Sequence, residues 1–595
     1  MKKIEKIFSF IICIFLFLRF LFDGITYPFF NFIFTLSFFF LFVLYLISKS
    51  FKINLTYSEI IFLSFIIFSI ISSSLSEIKN SGIRFNAYIL SYFCIFFLVS
   101  NILKEKDNIT TFIIFFLITV FLINIYGIYQ RFWGLEETRK YLIEQKEILL
   151  KEYPEFFGII SPTFFERMES NRIYSTFVYP NIYASFLISI MPLLFFIYLN
   201  KKMNYISFVS LFLFFLSYFC LILTESMGGL LVFLFVFHIL FLQIILNNKK
   251  FKKLLPFILT VEFLLVFAGY RFKILPHIHS LIDRVYYWKA TAKIIKLKPL
   301  IGIGSENFKY YFLKFKLPEG LETKHAHNLF LEVFAENGLF GVLSLFGFLI
   351  YIILNSFRKK EDKFISFGIG YLLISFLLHN LVDFDFYDPS VAVLFFIFGG
   401  IIEEKTKIIN RKLTKTLLCF IIILCVFMGF KLTKFEISER FRIKSLKTKN
   451  LYEKLNLLEN AESWESKNFN IYIEKGNIFL NMWKIIGDDK NLNLAILNYN
   501  KAIFLNPYLV KVYLKLANIY EIIGDYKMAE KMFMKLLEVY PNKKLYNLEV
   551  ARFYKKIGCE EKFRYYYEKS KKLKGVNIEE GILIEEIEKW IESQK

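Results

Sequence analysis

Residues 28–48 read PFFNFIFTLSFFFLFVLYLIS, an apolar run of 21 positions without a charged side chain. An α-helix of that length spans about 30 Å, the thickness of the hydrocarbon core of a bilayer. Similar runs recur along the first 432 residues, and the chain of 595 residues is 56% hydrophobic with a mean hydropathy of +0.48. The sequence therefore predicts an all-α, polytopic membrane domain over residues 1–432.

About thirteen apolar runs approach the length of a membrane span. The first follows a basic pair but precedes no small-residue cleavage site, so we predict a retained helix. Lysines and arginines lie in alternate connections, as at Lys49, Lys201 and Arg358, which predicts a cytoplasmic N-terminus. The predicted spans lie near residues 6–22, 28–48, 54–74, 85–102, 109–129, 176–199, 204–223, 227–247, 254–271, 328–355, 364–382, 389–402 and 415–432.

The net charge of the chain is +22, from 74 basic and 52 acidic residues. Because the lysine clusters lie between apolar runs, where they orient helices, we expect contact with the membrane and none with nucleic acid. The six cysteines show no spacing that is typical of a disulfide framework or a zinc site.

Three segments face the outside of the cell in this topology: residues 130–175, residues 272–327 and everything after residue 432. Long loops on a rigid scaffold commonly carry functional residues, so we expect the chemistry there. The inner connections are short and basic by comparison.

The C-terminal segment repeats with a period of 34 residues. Pro507 and Pro541 are 34 residues apart, and so are Gly524 and Gly558. Paired helices at this period resemble the tetratricopeptide repeat, whose stacked units form a concave binding surface. We therefore expect an α-solenoid that binds a protein partner. Its predicted parts are a helical linker at 433–475, repeats at 476–575 and a C-terminal capping helix at 576–595.

The second outer connection ends in HAHNLFLEVFAENGLFG, residues 325–341. His327 and Asn328 are separated by nine residues from Gly338, and Gly341 follows. This arrangement resembles the signature of the O-antigen ligase superfamily. Three other segments resemble that superfamily in the same order, so that the resemblance covers about residues 170–400. They are RIYSTFVYPNIYASFL (172–187), TESMGG (224–229) and RVYYWKATAKIIKLKPLIGIGSENF (284–308).

The resemblance implies the transfer of a glycan from a polyprenyl pyrophosphate to a lipid or protein acceptor, at the outer face of a bacterial cytoplasmic membrane. An imidazole suits the removal of a hydroxyl proton, and His327 is the candidate general base. Guanidinium groups suit a leaving pyrophosphate, and Arg172 and Arg284 are the candidates. The resemblance also implies that no metal and no cofactor take part.

Further residues are predicted to contact the substrate: His325, Asn328, Asn181 and Asp383. The superfamily often has an arginine after the serine of the Thr-x-Ser segment, where this chain has Met227. Arg271 is a candidate replacement, although an anchor at the membrane interface is its simpler interpretation.

A metal site is one alternative. His325 and His327 have a chelating spacing, and Glu322 and Glu332 are near in sequence, but a complete ligand set is not evident. The glycines Gly338 and Gly341 are assigned to close helix packing.

Other candidates also have structural interpretations. Arg172 and Arg284 could be exposed loop charges, and His379 and Asp383 could cap a helix at the membrane interface. Glu262 lies inside an apolar run, where an acid is costly unless it has a partner, so it is a functional candidate as well.

Three rival functions remain open. A polymerase of the same superfamily would extend lipid-linked glycans. A transporter or flippase would place ionisable groups in mid-membrane, where Glu262 is the only obvious acid. A scaffold would need a single anchoring span, so many spans argue against it.

The run at 415–432 alone places the C-terminal segment outside. We expect reporter fusions after Arg411 and after Asn450 to report opposite sides of the membrane. Fusions that report the same side would indicate that the repeats lie in the cytoplasm.

Overall fold

The computed structural model describes residues 2–22, 28–103, 106–152, 170–177, 179–200, 204–247, 278–358, 363–404, 411–573 and 578–593. The predicted span at 254–271, with Glu262 and Arg271, lies outside these residues.

The described elements are helices, which confirms the predicted all-α class. The membrane domain contains α1 (Lys2–Leu21), α2 (Pro28–Ser48), α3 (Tyr57–Ser74), α4 (Ile83–Ile102), α5 (Lys106–Tyr129), α6 (Leu135–Glu152), α7 (Pro180–Leu199), α8 (Asn204–Leu223), α9 (Met227–Asn247), α10 (Ile278–Leu297), α11 (Phe308–Phe315), α12 (Leu329–Arg358), α13 (Lys363–His379) and α14 (Pro389–Ile402). The long helix α15 (Arg411–Lys447) leads into α16 (Leu451–Trp464), α17 (Phe469–Ile486), α18 (Asp489–Leu505), α19 (Val510–Ile522), α20 (Tyr526–Val539), α21 (Lys544–Lys556), α22 (Glu560–Lys571) and α23 (Ile578–Ser593).

Eight of the described helices are long and apolar enough to cross a membrane, so the protein is a multi-pass membrane protein. They are α2, α3, α4, α5, α7, α8, α12 and α15. Three further apolar stretches are shorter than a typical span. They are Met227–Gln243 of α9, helix α13 and helix α14. The predicted total of about thirteen spans stays a prediction.

Contacts between helices show which segments lie at each end of the bundle. Helix α3 runs antiparallel to α12, because Phe62 stacks on Phe348 at 4.6 Å between ring centroids while the Ser72 hydroxyl donates to the Glu336 carbonyl at 2.6 Å. The start of α12 therefore lies at the same end as the end of α3. At the opposite end, Lys49 in the α2–α3 connection pairs with Glu5 of α1. The basic α2–α3 connection and the start of α12 thus lie at opposite ends.

Helix α12 is broken at Gly338, which has φ +68° and ψ −171°. The broken backbone pairs with the segment before α11: the Leu339 amide donates to the Pro299 carbonyl and the Gly304 amide to the Glu336 carbonyl, both at 2.9 Å. A β-carbon on Gly338 would lie 2.2 Å from the Leu300 carbonyl oxygen. Only glycine permits this approach.

The segment 170–177 is held at the same end by Gln130, which lies in a single π turn between α5 and α6. The Gln130 side chain donates to the Ser175 carbonyl at 2.8 Å and accepts from the Ser175 and Tyr174 amides at 2.7 and 3.2 Å. The chain thus stays helical beyond the predicted span, through the π turn into α6, and Gln130 positions the segment 170–177.

The C-terminal segment consists of helical pairs. Buried small residues, among them Ala517 and Ala529, let the helices of a pair approach, and Phe533 fills the space between them. Gly524 and Gly558 have φ of +82° and +77° and lie in the turns that follow α19 and α21. The pairs suit the predicted repeat, whose assignment stays a prediction.

Substitution Gly338→Ala tests the close approach at the break of α12. We expect a loss of about 2 kcal/mol or more, because alanine would meet the backbone and disfavours the positive φ. The measurement is the thermal unfolding midpoint in detergent. Gly347→Ala is the matched control, since its nearest atom would be 3.9 Å away. Equal midpoints for both variants would contradict the close contact.

Candidate active site

Five segments of the chain converge at the end of the bundle where α12 begins. Asn181 lies at the start of α7, and Thr224 lies in the turn between α8 and α9. Arg284 is on α10, while His327 and Asp383 lie in connections just before α12 and α14. Helix ends meet here because antiparallel neighbours bring alternate connections to one end.

The Asp383 carboxylate is the centre of the site. Its Oδ1 accepts hydrogen bonds from His327 Nδ1 at 3.1 Å and from the Phe384 amide at 3.0 Å. Its Oδ2 accepts from Asn181 Nδ2 at 3.0 Å and lies 3.7 Å from Arg284 Nη2. Both carboxylate oxygens are therefore engaged by protein groups.

Arg172 joins this centre through Asn181. Its Nη2 donates to Asn181 Oδ1 at 2.9 Å, and its Nε donates to the Thr224 carbonyl at 2.8 Å. Arg284 is fixed in a similar way, since its Nε donates to the Val382 carbonyl at 2.5 Å. Arg284 is thus held beside the Asp383 carboxylate, and Arg172 is linked to that carboxylate through Asn181.

His327 has a constrained backbone and a partly accessible side chain. Its φ is +49°, in the left-handed region that a residue other than glycine seldom adopts. The imidazole lies between the rings of Tyr287 and Phe384, at centroid distances of 5.6 and 5.0 Å. It is 22% exposed, whereas its partner Asp383 is 3% exposed, so a substrate group can approach the imidazole more readily than the carboxylate.

The bond to Asp383 determines what the imidazole can do. An ionised carboxylate only accepts, so Nδ1 of His327 carries a hydrogen and Nε2 is the nitrogen that can take up a proton. In other catalytic His–Asp pairs, too, Nδ1 donates to the aspartate while Nε2 accepts the proton.

The protonation state of Asp383 follows from its surroundings. Burial by itself would raise the pKa of this carboxyl. The hydrogen bond from His327 and the charges of His327, His379 and Arg284 outweigh burial and hold the pKa of Asp383 well below its usual range. Asp383 is therefore a carboxylate at neutral pH.

His325 lies beside this network. Its Nδ1 is 2.7 Å from Glu332 Oε1, and its ring stacks on Phe384 at 4.5 Å. Asn328 caps α12, because its Oδ1 accepts from the Leu331 amide at 3.0 Å. Both residues adjoin the chain of hydrogen bonds that links Arg172, Asn181, Asp383 and His327. Their predicted contacts with substrate stay predictions.

The alternatives fare differently. His379 pairs with Asp385 through Nδ1 and Oδ2 at 2.6 Å, and both side chains are almost fully buried, so His379 has a structural partner of its own. Among the described residues, no group of three or more His, Cys, Asp or Glu side chains is placed to hold a metal ion. His325 and His327 each direct Nδ1 to a different carboxylate.

The Thr-x-Ser segment contributes a backbone carbonyl to the site rather than a charged side chain. The Thr224 carbonyl accepts from Arg172, and the Ser226 hydroxyl accepts from the Gly229 amide at 3.3 Å, near the start of α9. Met227, the first residue of α9, stands where the superfamily often has arginine. Within the described residues, Arg284 lies beside Asp383 and Arg172 is linked to it through Asn181.

Three aromatic and acidic neighbours were missed by the sequence reasoning. Tyr287 packs on the imidazole of His327, and Phe384 packs on that of His325. Glu332 orients His325 through a hydrogen bond. Their signal was weak, since aromatic residues are 20% of the chain and those at functional positions look like core residues. Glu332 was considered only as a metal ligand.

Substitution Asp383→Asn tests the electrostatics of the site. We expect a lower thermal midpoint than the native chain at neutral pH, because the amide cannot accept from all the donors that surround it. A carboxyl whose pKa is lower in the folded state than in the unfolded state stabilises the fold above its unfolded-state pKa. This stabilisation is lost as the pH falls below that value. The difference in midpoint should therefore be constant from about pH 8 to pH 5 and shrink below about pH 4.

Asp283→Asn, one residue before Arg284, is the control for the loss of a carboxylate at this end of the bundle. A difference for Asp383→Asn that does not shrink on acidification would contradict the depressed pKa.

Comparisons with known proteins match part of the chain. Residues 212–346 match the family model described as O-Antigen ligase, a segment that contains Arg284, His325 and His327. The chain is 26% identical over 118 residues to the teichuronic acid biosynthesis protein TuaE of Bacillus subtilis (strain 168), which is 18% of this chain and 23% of that protein. It is 27% identical over 157 residues to the exopolysaccharide production protein ExoQ of Rhizobium meliloti (strain 1021), which is 23% of this chain and 34% of that protein.

The chain thus spans about a quarter to a third of the length of these curated relatives. The matched segment begins after Arg172 and Asn181 and ends before Asp383. The chain is a multi-pass membrane protein, all-α in its described residues, and its residues 212–346 are similar to the O-antigen ligase family.

Proposed function

We propose that the protein is a glycosyltransferase that moves a glycan from a polyprenyl pyrophosphate to a hydroxyl group of an acceptor. The observation that carries this proposal is the hydrogen-bonded chain Arg172–Asn181–Asp383–His327, with Arg284 beside it. The match of residues 212–346 to the O-antigen ligase family supports the same reaction class.

His327 acts as the general base. Asp383 holds its Nδ1 hydrogen, so Nε2 accepts the proton as the acceptor oxygen attacks the anomeric carbon. The bond between that carbon and the pyrophosphate oxygen breaks, and the lipid pyrophosphate leaves with the electron pair. Asp383 stabilises the imidazolium that forms. Its own role is therefore to orient and stabilise His327 rather than to bind the substrate directly.

Arg172 and Arg284 bind the leaving pyrophosphate. Negative charge grows on its oxygens during bond breaking, and permanently charged planar donors stabilise that charge. The bonds to Thr224, Val382 and Asn181 fix both guanidinium groups before the substrate arrives, so little reorganisation is needed. This role needs no metal ion.

The reaction takes place at the outer face of the cytoplasmic membrane. The end of the bundle that carries the site is opposite the Lys49 connection, which the positive-inside rule assigns to the cytoplasm. A site at helix ends suits a lipid pyrophosphate at the membrane surface and favours an enzyme over a transporter. The C-terminal helical pairs lie outside the cell in this arrangement and recruit a protein acceptor or an assembly partner.

A polymerase of the same superfamily is the second candidate. It is favoured by the curated relatives, whose names concern teichuronic acid biosynthesis and exopolysaccharide production. The chemistry at His327 is the same in both cases, and only the acceptor differs: the end of another lipid-linked glycan for a polymerase, a different lipid or a protein for a ligase.

Reconstitution in proteoliposomes tests the proposal. A fluorescent glycan on polyprenyl pyrophosphate is supplied with lipid A, protein extract or unlabelled lipid-linked glycan as acceptor. We expect His327→Ala to lower kcat by about a hundredfold to ten-thousandfold, because the proton acceptor is lost. Arg172→Ala and Arg284→Ala should each cost about a hundredfold or more and weaken donor binding.

Matched controls separate these effects from damage to the fold. His238→Ala, on α9, and Arg564→Ala, whose side chain is 79% exposed in the C-terminal segment, should transfer at the native rate. Native rates for His327→Ala, Arg172→Ala and Arg284→Ala would contradict the roles proposed.

A further inference from the structure

The segment 298–327 lies between the membrane bundle and the C-terminal helices. On the bundle side, the Ile303 and Gly304 amides donate to the Ala335 and Glu336 carbonyls at 2.9 Å. The Phe308 amide, at the start of α11, donates to Glu336 Oε1 at 3.1 Å. Bundle contacts therefore fix one side of the segment that ends in His327.

The turn between α18 and α19 touches the other side. Tyr508 lies 4.2 Å from Tyr311 of α11 between ring centroids, and its hydroxyl donates to Glu77 Oε2 at 2.8 Å. The Lys79 amide donates to the Leu505 carbonyl at 2.9 Å.

The turn between α20 and α21 makes a second set of contacts. The Tyr540 hydroxyl donates to Glu322 Oε1 at 2.8 Å, and the Lys543 ammonium pairs with the same oxygen. Asn542 Nδ2 donates to the Lys316 carbonyl at 2.8 Å. Lys543 is only 5% exposed, so this ion pair is shielded from solvent on one side.

These two turns occupy equivalent positions in the 34-residue period. Tyr508 and Asn542 are 34 residues apart, and each follows a proline of the repeat, Pro507 or Pro541. The period of the helical pairs therefore spaces the docking points along one connecting segment of the membrane domain.

Two routes lead from these contacts to His327. The first is along the chain from Glu322, where the Thr323 hydroxyl donates to the His325 carbonyl at 2.8 Å and accepts from the His325 amide at 3.2 Å. The second is through α11, whose Phe312 packs edge-on against Tyr287 at 5.8 Å. Tyr287 in turn stacks on His327. Both routes are short and packed.

We propose that the C-terminal segment is part of the scaffold of the active site, and that Glu322, Tyr540 and Lys543 are positioning residues for His327. The inference rests on the proposed function of His327. A shift of about 1 Å in a catalytic group can cost about a hundredfold in rate, so contacts that hold this segment affect catalysis without touching the substrate.

Glu322 carries the charge that the docking contact needs. Burial alone would raise its pKa, but Lys543 and the Tyr540 hydroxyl hold the pKa of Glu322 below its usual range. The pair is therefore ionic at neutral pH.

Charge inversion tests the proposal in the full-length protein. Glu322→Lys and Lys543→Glu are made singly and together, and each variant is reconstituted for transfer and also studied by hydrogen–deuterium exchange in detergent. We expect each single inversion to lower kcat by about tenfold or more, with little change in the donor KM, and to speed exchange across residues 316–327 by about tenfold. The double inversion restores the ion pair and should recover both values to within about threefold.

Lys555→Glu is the matched control, because it breaks a 2.7 Å pair with Glu560 inside the C-terminal segment. It should change neither the transfer rate nor the exchange at 316–327. Unchanged exchange in both single inversions would overturn the proposal, and so would faster exchange with native transfer. If the native chain transfers no glycan, the proposed function fails, while the exchange data still decide whether the C-terminal turns hold this segment.

Discussion

Both oxygens of the Asp383 carboxylate accept hydrogen bonds, and the donors come from three parts of the chain that are far apart in sequence. A buried carboxylate without such partners would be costly, so the ends of α7, α12 and α14 must keep their relative positions for it to remain charged. The charge in turn sets the hydrogen on Nδ1 of His327. One buried group therefore links the fold to the proposed chemistry.

Sequence patterns indicated candidate site residues but not the contacts among them. His327, Arg172 and Arg284 are candidates by residue chemistry and by resemblance, and the structure places His327 and Arg284 beside Asp383 and links Arg172 to Asp383 through Asn181. The central place of Asp383 could not be predicted, because it depends on contacts across 56 and 202 residues of sequence. Met227 raised the question of a missing charge, and the structure places the Thr224 carbonyl of that segment against Arg172.

Hydropathy located most membrane helices because span length is a strong constraint. It does not detect a break inside an apolar run, nor a helix that continues beyond the membrane. The break at Gly338 lies within such a run and arises from backbone pairing with residues 299–304. Helix α15 continues as one element to Lys447, where hydropathy indicated a span followed by a linker. Glu322, which contacts Tyr540 and Lys543 of the C-terminal pairs, was considered from the sequence only as a possible metal ligand.

We propose that the Asp383–His327 network faces the outside of the cell. The most direct measurement is labelling of Lys324→Cys, an exposed position three residues before His327, in a background where Cys419 and Cys559 are replaced by serine. A maleimide that cannot cross the membrane should label this cysteine in intact spheroplasts as fully as after permeabilisation. Labelling that requires permeabilisation would put the imidazole in the cytoplasm and contradict the account.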